Sequence, residues 1–330
     1  MKTYYITGGT GFLGYNIIKQ IDCNDNIIIF ALENDPNKAL FNGMPNVKII
    51  TGNLLNKNDV MKFLSTPSKG DKYLIHAAGK ITTLKKGDPL VYKINVLGTQ
   101  NIVDVAKNQN FKKILYVSSV DSMRYRRDKN TIIEQSEYIE DETPGQYGKS
   151  KVLASNYVRK NLNNYIIVMP SAILGPDDPL NSAINSAIKK AINNKLPAIV
   201  NGGYNLVDVR DVAHGILLAL ESKQINKDYL LTGHYIKIKD LMKKTNSFAK
   251  SKKYKFIVPH FIIKLIAPIF EISAKKSGKN PLFTGFSMDC LKQNANYSYQ
   301  KAKADFDYQP RDIDTTIKDT IIYLQKKPLQ

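Results

Sequence analysis

Residues 146–151 read QYGKSK and place Tyr147 and Lys151 four positions apart. On a helix, positions i and i+4 share one face. An ammonium held beside a phenol favours phenolate and lowers a pKa that starts at about 10. Such a pair can move a proton at a carbonyl oxygen. The competing reading is a solvated pair on the first turn of a helix, since the preceding EDETPG is acidic and turn-forming.

A second stretch with chemical content is TGGTGFLG, residues 7–14. Gly8, Gly11 and Gly14 follow the strand-like KTYYI and open a helical pattern carrying Ile17, Ile18 and Ile21. That context gives a tight turn, a close backbone approach and a helix N-terminus aimed at a diphosphate. A strand-to-helix turn without ligand is the plainer alternative, and three glycines with Thr10 make it less economical. After the next strand the chain reads ALENDPNK, residues 31–38. An acidic residue there accepts a bond from a ribose 2′-hydroxyl, whereas an arginine pairs with a 2′-phosphate. Glu33 is acidic and no arginine is present, which favours NAD over NADP. Lys38 could still reach a phosphate, and Glu33 could face water.

The elements that must position these residues alternate. Apolar runs at 2–6, 26–31, 47–50, 73–77, 113–117 and 165–169 are short and bounded by polar residues, as buried parallel strands are. Helical patterns lie between them; the clearest, 91–108, carries Val91, Ile94, Gly98, Ile102 and Val105 on one stripe. This alternation implies an α/β fold with a Rossmann-type doubly wound parallel sheet. Beyond residue 171 the pattern loosens into a helix-like 180–194 and then a helix over 212–222, with Asp211 expected as its N-cap. Residues 235–330 read as mostly helical. The expected division is a dinucleotide domain of residues 1–170 plus about 206–234 by crossover. A smaller, mainly helical substrate lobe takes 171–205 and 235–330.

The 330 residues suffice for one large or two modest domains with a real core. Two cysteines, Cys23 and Cys290, make no disulfide framework, so a reducing cytoplasm is expected. Met1 runs directly into a strand-like segment, and no leader is expected. The net charge of +19 invites a nucleic-acid or membrane partner. The lysines are spread along the chain without a basic block, so no nucleic-acid partner is expected. No apolar run is long enough to span a bilayer. The nearest, residues 256–273, reads as buried helices lining an apolar pocket, with peripheral lipid contact as the alternative. Four scattered histidines and two distant cysteines offer no metal-ligand spacing.

Taken together, TGGTGFLG (7–14), HAAG (76–79), NVLGT (95–99), YVSS (116–119), YGKSK (147–151), MPSAILGP (169–176) and VDVRDVA (207–213) resemble the extended short-chain dehydrogenase/reductase family. This is also called the NAD-dependent epimerase/dehydratase family. The resemblance covers nearly the whole chain, and the chain looks most like the dihydroflavonol-reductase-like and 3β-hydroxysteroid-dehydrogenase-like branch. Two departures stand out. Asn34 occupies a place where that branch often carries arginine, which puts its frequent NADP preference in doubt. Met169 stands where many members have arginine.

The resemblance implies roles. Tyr147 is the general acid or base. Lys151 lowers its pKa and hydrogen-bonds the nicotinamide ribose. Ser119, preferred over Ser118, holds and polarises the same substrate oxygen. Phe12 and Leu13 belong to the diphosphate loop, and Asn53 and Leu54 to the adenine end, although Asn53 could equally cap a helix over 57–65. Ala77, Ala78 and Gly79 are small where the cofactor passes. Asn95 fixes water or backbone near the site, and Pro170 and Ile173 flank the nicotinamide. The substrate walls implied are Lys80–Thr82, the DSMRYRR loop with Met123, and residues 171–180 with Ser171. Arg124, Arg126 and Arg127 could greet an anion, while the apolar 256–273 stretch hints at a hydrophobic substrate. A homodimer through 91–108 and 147–161 is also implied. The expected activity interconverts a secondary alcohol and a ketone, the substrate being steroid-like or aromatic. The rivals are a nucleotide-sugar epimerase or dehydratase with recycled NAD and a non-catalytic dinucleotide sensor.

Overall fold

Runs of Ile, Val and Tyr build seven parallel strands, and most of their side chains lose all contact with water. A computed structural model describes residues 1–84, 88–124, 128–135, 138–143, 145–196, 198–252, 254, 256–259, 262–263, 288 and 290–326. The strands are β1 (Lys2–Thr7), β2 (Asn26–Ala31), β3 (Val47–Thr51), β4 (Asp71–His76), β5 (Lys113–Val117), β6 (Tyr165–Pro170) and β10 (Lys227–Leu231). Their order is β10-β6-β5-β4-β1-β2-β3. Chain direction across the sheet therefore reverses between β1 and β4, the place where such sheets bind ligands beyond their C-terminal ends.

Both faces of the sheet are covered. Tyr5, Phe30, Leu74, Ile114 and Tyr116 point to one core with Ile102, Val152 and Val158. Ile6, Ile29, Ile75, Leu115 and Val168 point to the other with Ile17, Val212 and Ile216. Alternation of successive residues between faces follows from the strand repeat of two. Helices α1 (Phe12–Ile18) and α7 (Val209–Glu221) pack against each other beside the sheet. Helix α5 (Gly145–Asn161) packs on α4 (Gly98–Ala106) on the other side.

The pattern over 91–108 resolves into three pieces: α3 (Pro89–Tyr92), one π-helical turn (Lys93–Leu97) and α4. The expected helix over 180–194 is α6 (Ala183–Ile192). The cap of α7 is Asp208, whose side chain accepts from Arg210 N, and not Asp211. Asp211 lies inside the first turn and instead pairs with Arg311, Nε to Oδ1 at 2.7 Å. The C-terminal region is mixed. It combines α6, α8 (Ile238–Ala249), α9 (Gln300–Phe306) and α10 (Ile313–Lys326) with two small sheets. One sheet joins β7 (Ala172–Leu174), β9 (Gly203–Asp208) and β11 (His234–Lys237). The other joins β8 (Ala198–Val200) and β12 (Phe256–Val258). Arg126, Arg127 and most of the 256–273 stretch lie outside the described residues. No described helix is long and apolar enough to cross a membrane.

Candidate functional site

The loops after β1 and β4 meet at the switch point. Gly8 has φ +74°, and a Cβ there would stand 2.7 Å from Ala78 N. A Cβ on Gly14 would stand 2.1 Å from the Gly8 carbonyl oxygen, so α1 can approach its strand this closely only with glycine. Gly11 precedes α1, whose N-terminus no side chain caps. Its first-turn amides are therefore available to an anion. Thr10 is buried, Phe12 half-buried, and Leu13 packs into the core below. This cradle fits a dinucleotide diphosphate.

Further along the sheet edge, Glu33, Asn34 and Asn53 line one cavity of about 570 Å³ with Leu32, Thr51, Gly52, Asp59 and Lys62. The last five were not singled out from the sequence. Asp59 accepts from Asn53 N at 2.9 Å and so shapes the loop. Asn53 caps no helix; Asn56 caps α2 (Lys57–Leu64) by accepting from Asn58 N. Leu54 is absent from the lining and packs against α4, where a Cβ on Gly98 would stand 3.3 Å from its own. Lys38 donates from Nζ to the Glu33 carbonyl.

At the other end of the switch point, β5 delivers Ser118 and Ser119 and α5 delivers Tyr147 and Lys151. The two serines diverge. Ser118 Oγ lies 3.0 Å from Ser155 Oγ, inside the helix packing. Ser119 Oγ hydrogen-bonds the Tyr147 phenol. Lys151 is 3% exposed and donates from Nζ to the Val117 carbonyl at 2.7 Å. Its ammonium also lies 4.9 Å from the Tyr116 ring centroid. A Cβ on Gly79 would stand 3.3 Å from Lys151 Nζ, so the loop after β4 runs directly over the lysine. Ala77 and Ala78 continue that loop, with Ala77 N donating to the Thr7 carbonyl.

Asn95, in the π-helical turn, fixes this loop. It accepts from Lys80 N at 2.7 Å and donates to Lys80 O and to Ser150 Oγ. Pro170 ends β6, Ile173 is half-buried in β7, and the buried Ser171 Oγ has no hydrogen-bond partner. Met123 does not join the site: it is 3% exposed within the core beside Val120 and Ile132. Arg124 is taken up by Glu142, at 3.3 Å.

The electrostatics depart from expectation in one respect. Burial and then the neighbouring Asp121 push the Tyr147 phenol above its ordinary value, with the Ser119 hydrogen bond opposing them. Lys151 does not lower it here, because burial pushes the lysine itself down to about 7 and its ammonium is aimed at a carbonyl. His76, buried between Thr7 Oγ and Thr99 Oγ, is pushed down to about 3 by burial and then Lys151, and stays neutral.

Two further residues shape the site. Asp121 comes back on Ser119, Oγ to Oδ2 at 3.2 Å, while its own N–H donates to Ser119 Oγ at 3.1 Å. Gly148 permits this, since a Cβ there would stand 2.2 Å from the Asp121 carbonyl oxygen. The glycine following Tyr147 was a visible signal, but nothing local says which backbone approaches it.

The chain belongs to the NAD dependent epimerase/dehydratase family, whose model matches residues 4–231. It is therefore grouped with NAD(P)-dependent oxidoreductases and epimerases. A putative dihydroflavonol 4-reductase from Synechocystis sp. is 27% identical over 308 residues, covering 91% of this chain and 87% of that protein. The human decarboxylating sterol-4-alpha-carboxylate 3-dehydrogenase is 24% identical over 339 residues, covering 94% and 84%. The crystal structure of gox2253 superposes with a TM-score of 0.82 at 28% identity, covering 98% of both chains.

Proposed function

We propose that this chain is an oxidoreductase that interconverts a secondary alcohol and a ketone or aldehyde. The observation carrying this reading is the convergence of Ser119, Tyr147 and Lys151 beside the glycine loop at the switch point. The nicotinamide, when bound, supplies or takes up the hydride. In the reducing direction the Tyr147 phenol gives its proton to the carbonyl oxygen, and Ser119 Oγ donates a hydrogen bond to that oxygen. Burial keeps the phenol protonated, the form from which this step starts. Lys151, buried and held by Val117, lies where a ribose passes Gly79.

NAD is the proposed cofactor in preference to NADP. Glu33 and Asp59 both line the adenosine cavity, and its described lining contains no arginine. A 2′-phosphate brought there meets two carboxylates, with Lys62 as the countercharge in the same lining. The cofactor-binding set proposed is Gly8, Thr10, Gly11, Phe12, Leu13, Gly14, Glu33, Asn34, Asn53, Ala77, Ala78, Gly79, Asn95, Tyr147, Lys151, Pro170 and Ile173, with Leu54 acting through packing. Lys80 and Ser171 are proposed at the substrate.

A second reading, an epimerase or dehydratase that recycles its NAD, draws on Asp121 standing 3.2 Å from Ser119 Oγ. Nicotinamide absorbance separates the two. Net consumption of NADH with a ketone supports the oxidoreductase, and NADH left unconsumed across ketones and aldehydes, with redox-neutral turnover of nucleotide sugars in the presence of NAD, rejects it. We also propose a homodimer through residues 91–108 and 147–161, where Tyr92 and Leu97 leave apolar surface exposed. Light scattering at micromolar concentration should give twice the chain mass; the mass of a single chain would contradict it.

A further inference from the structure

Strand order fixes what lies where in the adenosine cavity. Outward from the diphosphate turn the sheet runs β1, β2, β3. Neighbouring strands lie about 4.8 Å apart. A dinucleotide leaving the glycine loop after β1 therefore brings its ribose to the end of β2, at Glu33, and its base to the end of β3. Thr51, Gly52 and Asn53 line the cavity there, and Asp59 and Lys62 reach it from α2. Gly52 makes room for Asp59: a Cβ on Gly52 would stand 2.7 Å from the Asp59 Cβ and 2.8 Å from the Phe30 ring. Asp59 Oδ2 accepts from Asn53 N at 2.9 Å, which fixes the carboxylate against the loop. The acceptor of Asn53 is used within its own turn, Oδ1 accepting from Leu55 N at 2.9 Å. Asp59 is thus the carboxylate on the β3 side of the cavity.

We propose that Asp59 reads the base of the cofactor: its carboxylate accepts from the 6-amino group of adenine, so the cavity selects an adenine dinucleotide over one carrying a 6-oxo purine. This rests on the reading of the cavity as the adenosine end of a dinucleotide site. An ionised carboxylate accepts and does not donate. Exocyclic amino groups are the donors that Asp and Glu pair with on bases. Hypoxanthine differs from adenine at this edge alone. Its 6-oxygen sets acceptor against acceptor, and its N1–H is a donor where adenine N1 is an acceptor. Lys62 stands three residues beyond Asp59, on the same face of α2, and lines the same cavity. Its ammonium is a donor beside the carboxylate. Carboxylate and ammonium together match the amino group and N1 of adenine, and hypoxanthine presents the reverse order. Glu33 lies one strand nearer the diphosphate and stays with the ribose.

Fluorescence titration with NADH and with reduced nicotinamide hypoxanthine dinucleotide tests this without any turnover. Both carry the same dihydronicotinamide, so only the base differs. The wild-type protein should bind NADH tighter by about 10–100-fold in Kd, the range for losing a hydrogen bond to a charged group. In Asp59→Ala the ratio of the two should fall to near one, whatever the absolute affinities. In Asp59→Asn, whose amide both donates and accepts, it should also fall to near one while the bond from Asn53 N is kept. A residue that only shaped the loop through Asn53 N would weaken both dinucleotides alike. An unchanged ratio in both variants therefore overturns the proposal, and so does equal binding of the two dinucleotides by the wild type. Binding of neither dinucleotide rejects the cofactor reading and this assignment together. NADH bound without reduction of any ketone rejects the oxidoreductase reading alone, and the ratio still decides on Asp59.

Discussion

Backbone shape forms the nucleotide end of the cleft, whereas side chains from widely separated segments form the substrate end. The diphosphate cradle is one continuous piece, β1, its glycine turn and α1, closed by the loop after β4. Its demands are steric. The proposed substrate end gathers Ser119 and Asp121 from the exit of β5 with Tyr147 and Lys151 from α5. Its demands are electrostatic: one carboxyl raised by burial, one phenol raised by burial and by that carboxyl, and a lysine lowered by burial. One end can keep its shape for a dinucleotide while the other changes its selectivity one side chain at a time.

This contrast can be broken from either side. The largest effect is expected at Gly14→Ala. Its Cβ would overlap the Gly8 carbonyl, so the turn must shift, costing about 1–3 kcal/mol of stability and most of the NADH affinity. A thermal melt and a fluorescence titration check both; wild-type affinity in this variant would refute the cradle. Gly148→Ala should be milder and confined to the other end. Pushing the Asp121 turn off α5 should lower kcat by roughly tenfold while NADH binding persists, because a small displacement of positioned groups is enough to slow the chemistry. Equal loss of both would erase the distinction between the two ends. The smallest effect concerns His76, which bridges β1 and β4 through Thr7 and lies against the helix carrying Thr99. The unfolded chain binds a proton at this residue below about pH 6.5, and the folded chain refuses it until about pH 3. Stability therefore falls on acidification through that window. In His76→Gln the melting temperature should depend less on pH between those limits; an unaltered dependence would show that His76 is not the group responsible.

The same contrast explains what the sequence made legible. Strand-like runs of Ile, Val and Tyr marked six strands of the large sheet. The seventh, Lys227–Leu231, starts with a lysine and an aspartate and is short of the apolar run that marks the others. The glycine loop and the Tyr147–Lys151 pair are local patterns whose spacing made them candidates, and the ordered motifs around them supplied the proposed roles. Caps were less legible: VDVRDVA offers two aspartates, and Asp208 wins because Arg311, a hundred residues on, claims Asp211. Asn53 lost to Asn56 in the same way. Met123 was expected at the substrate from its place in a loop, but the chain turns it into the core. The upward shift of Tyr147 was out of reach, since it depends on the enclosure of the pocket and on Asp121 folding back over Gly148.

The most direct test of the account follows nicotinamide absorbance with NADH and a ketone substrate in the wild-type and Tyr147→Phe proteins, with NADH affinity measured alongside. The account predicts that the variant keeps NADH affinity within about threefold while kcat falls by about 10²–10⁴. Unchanged turnover in Tyr147→Phe would contradict it.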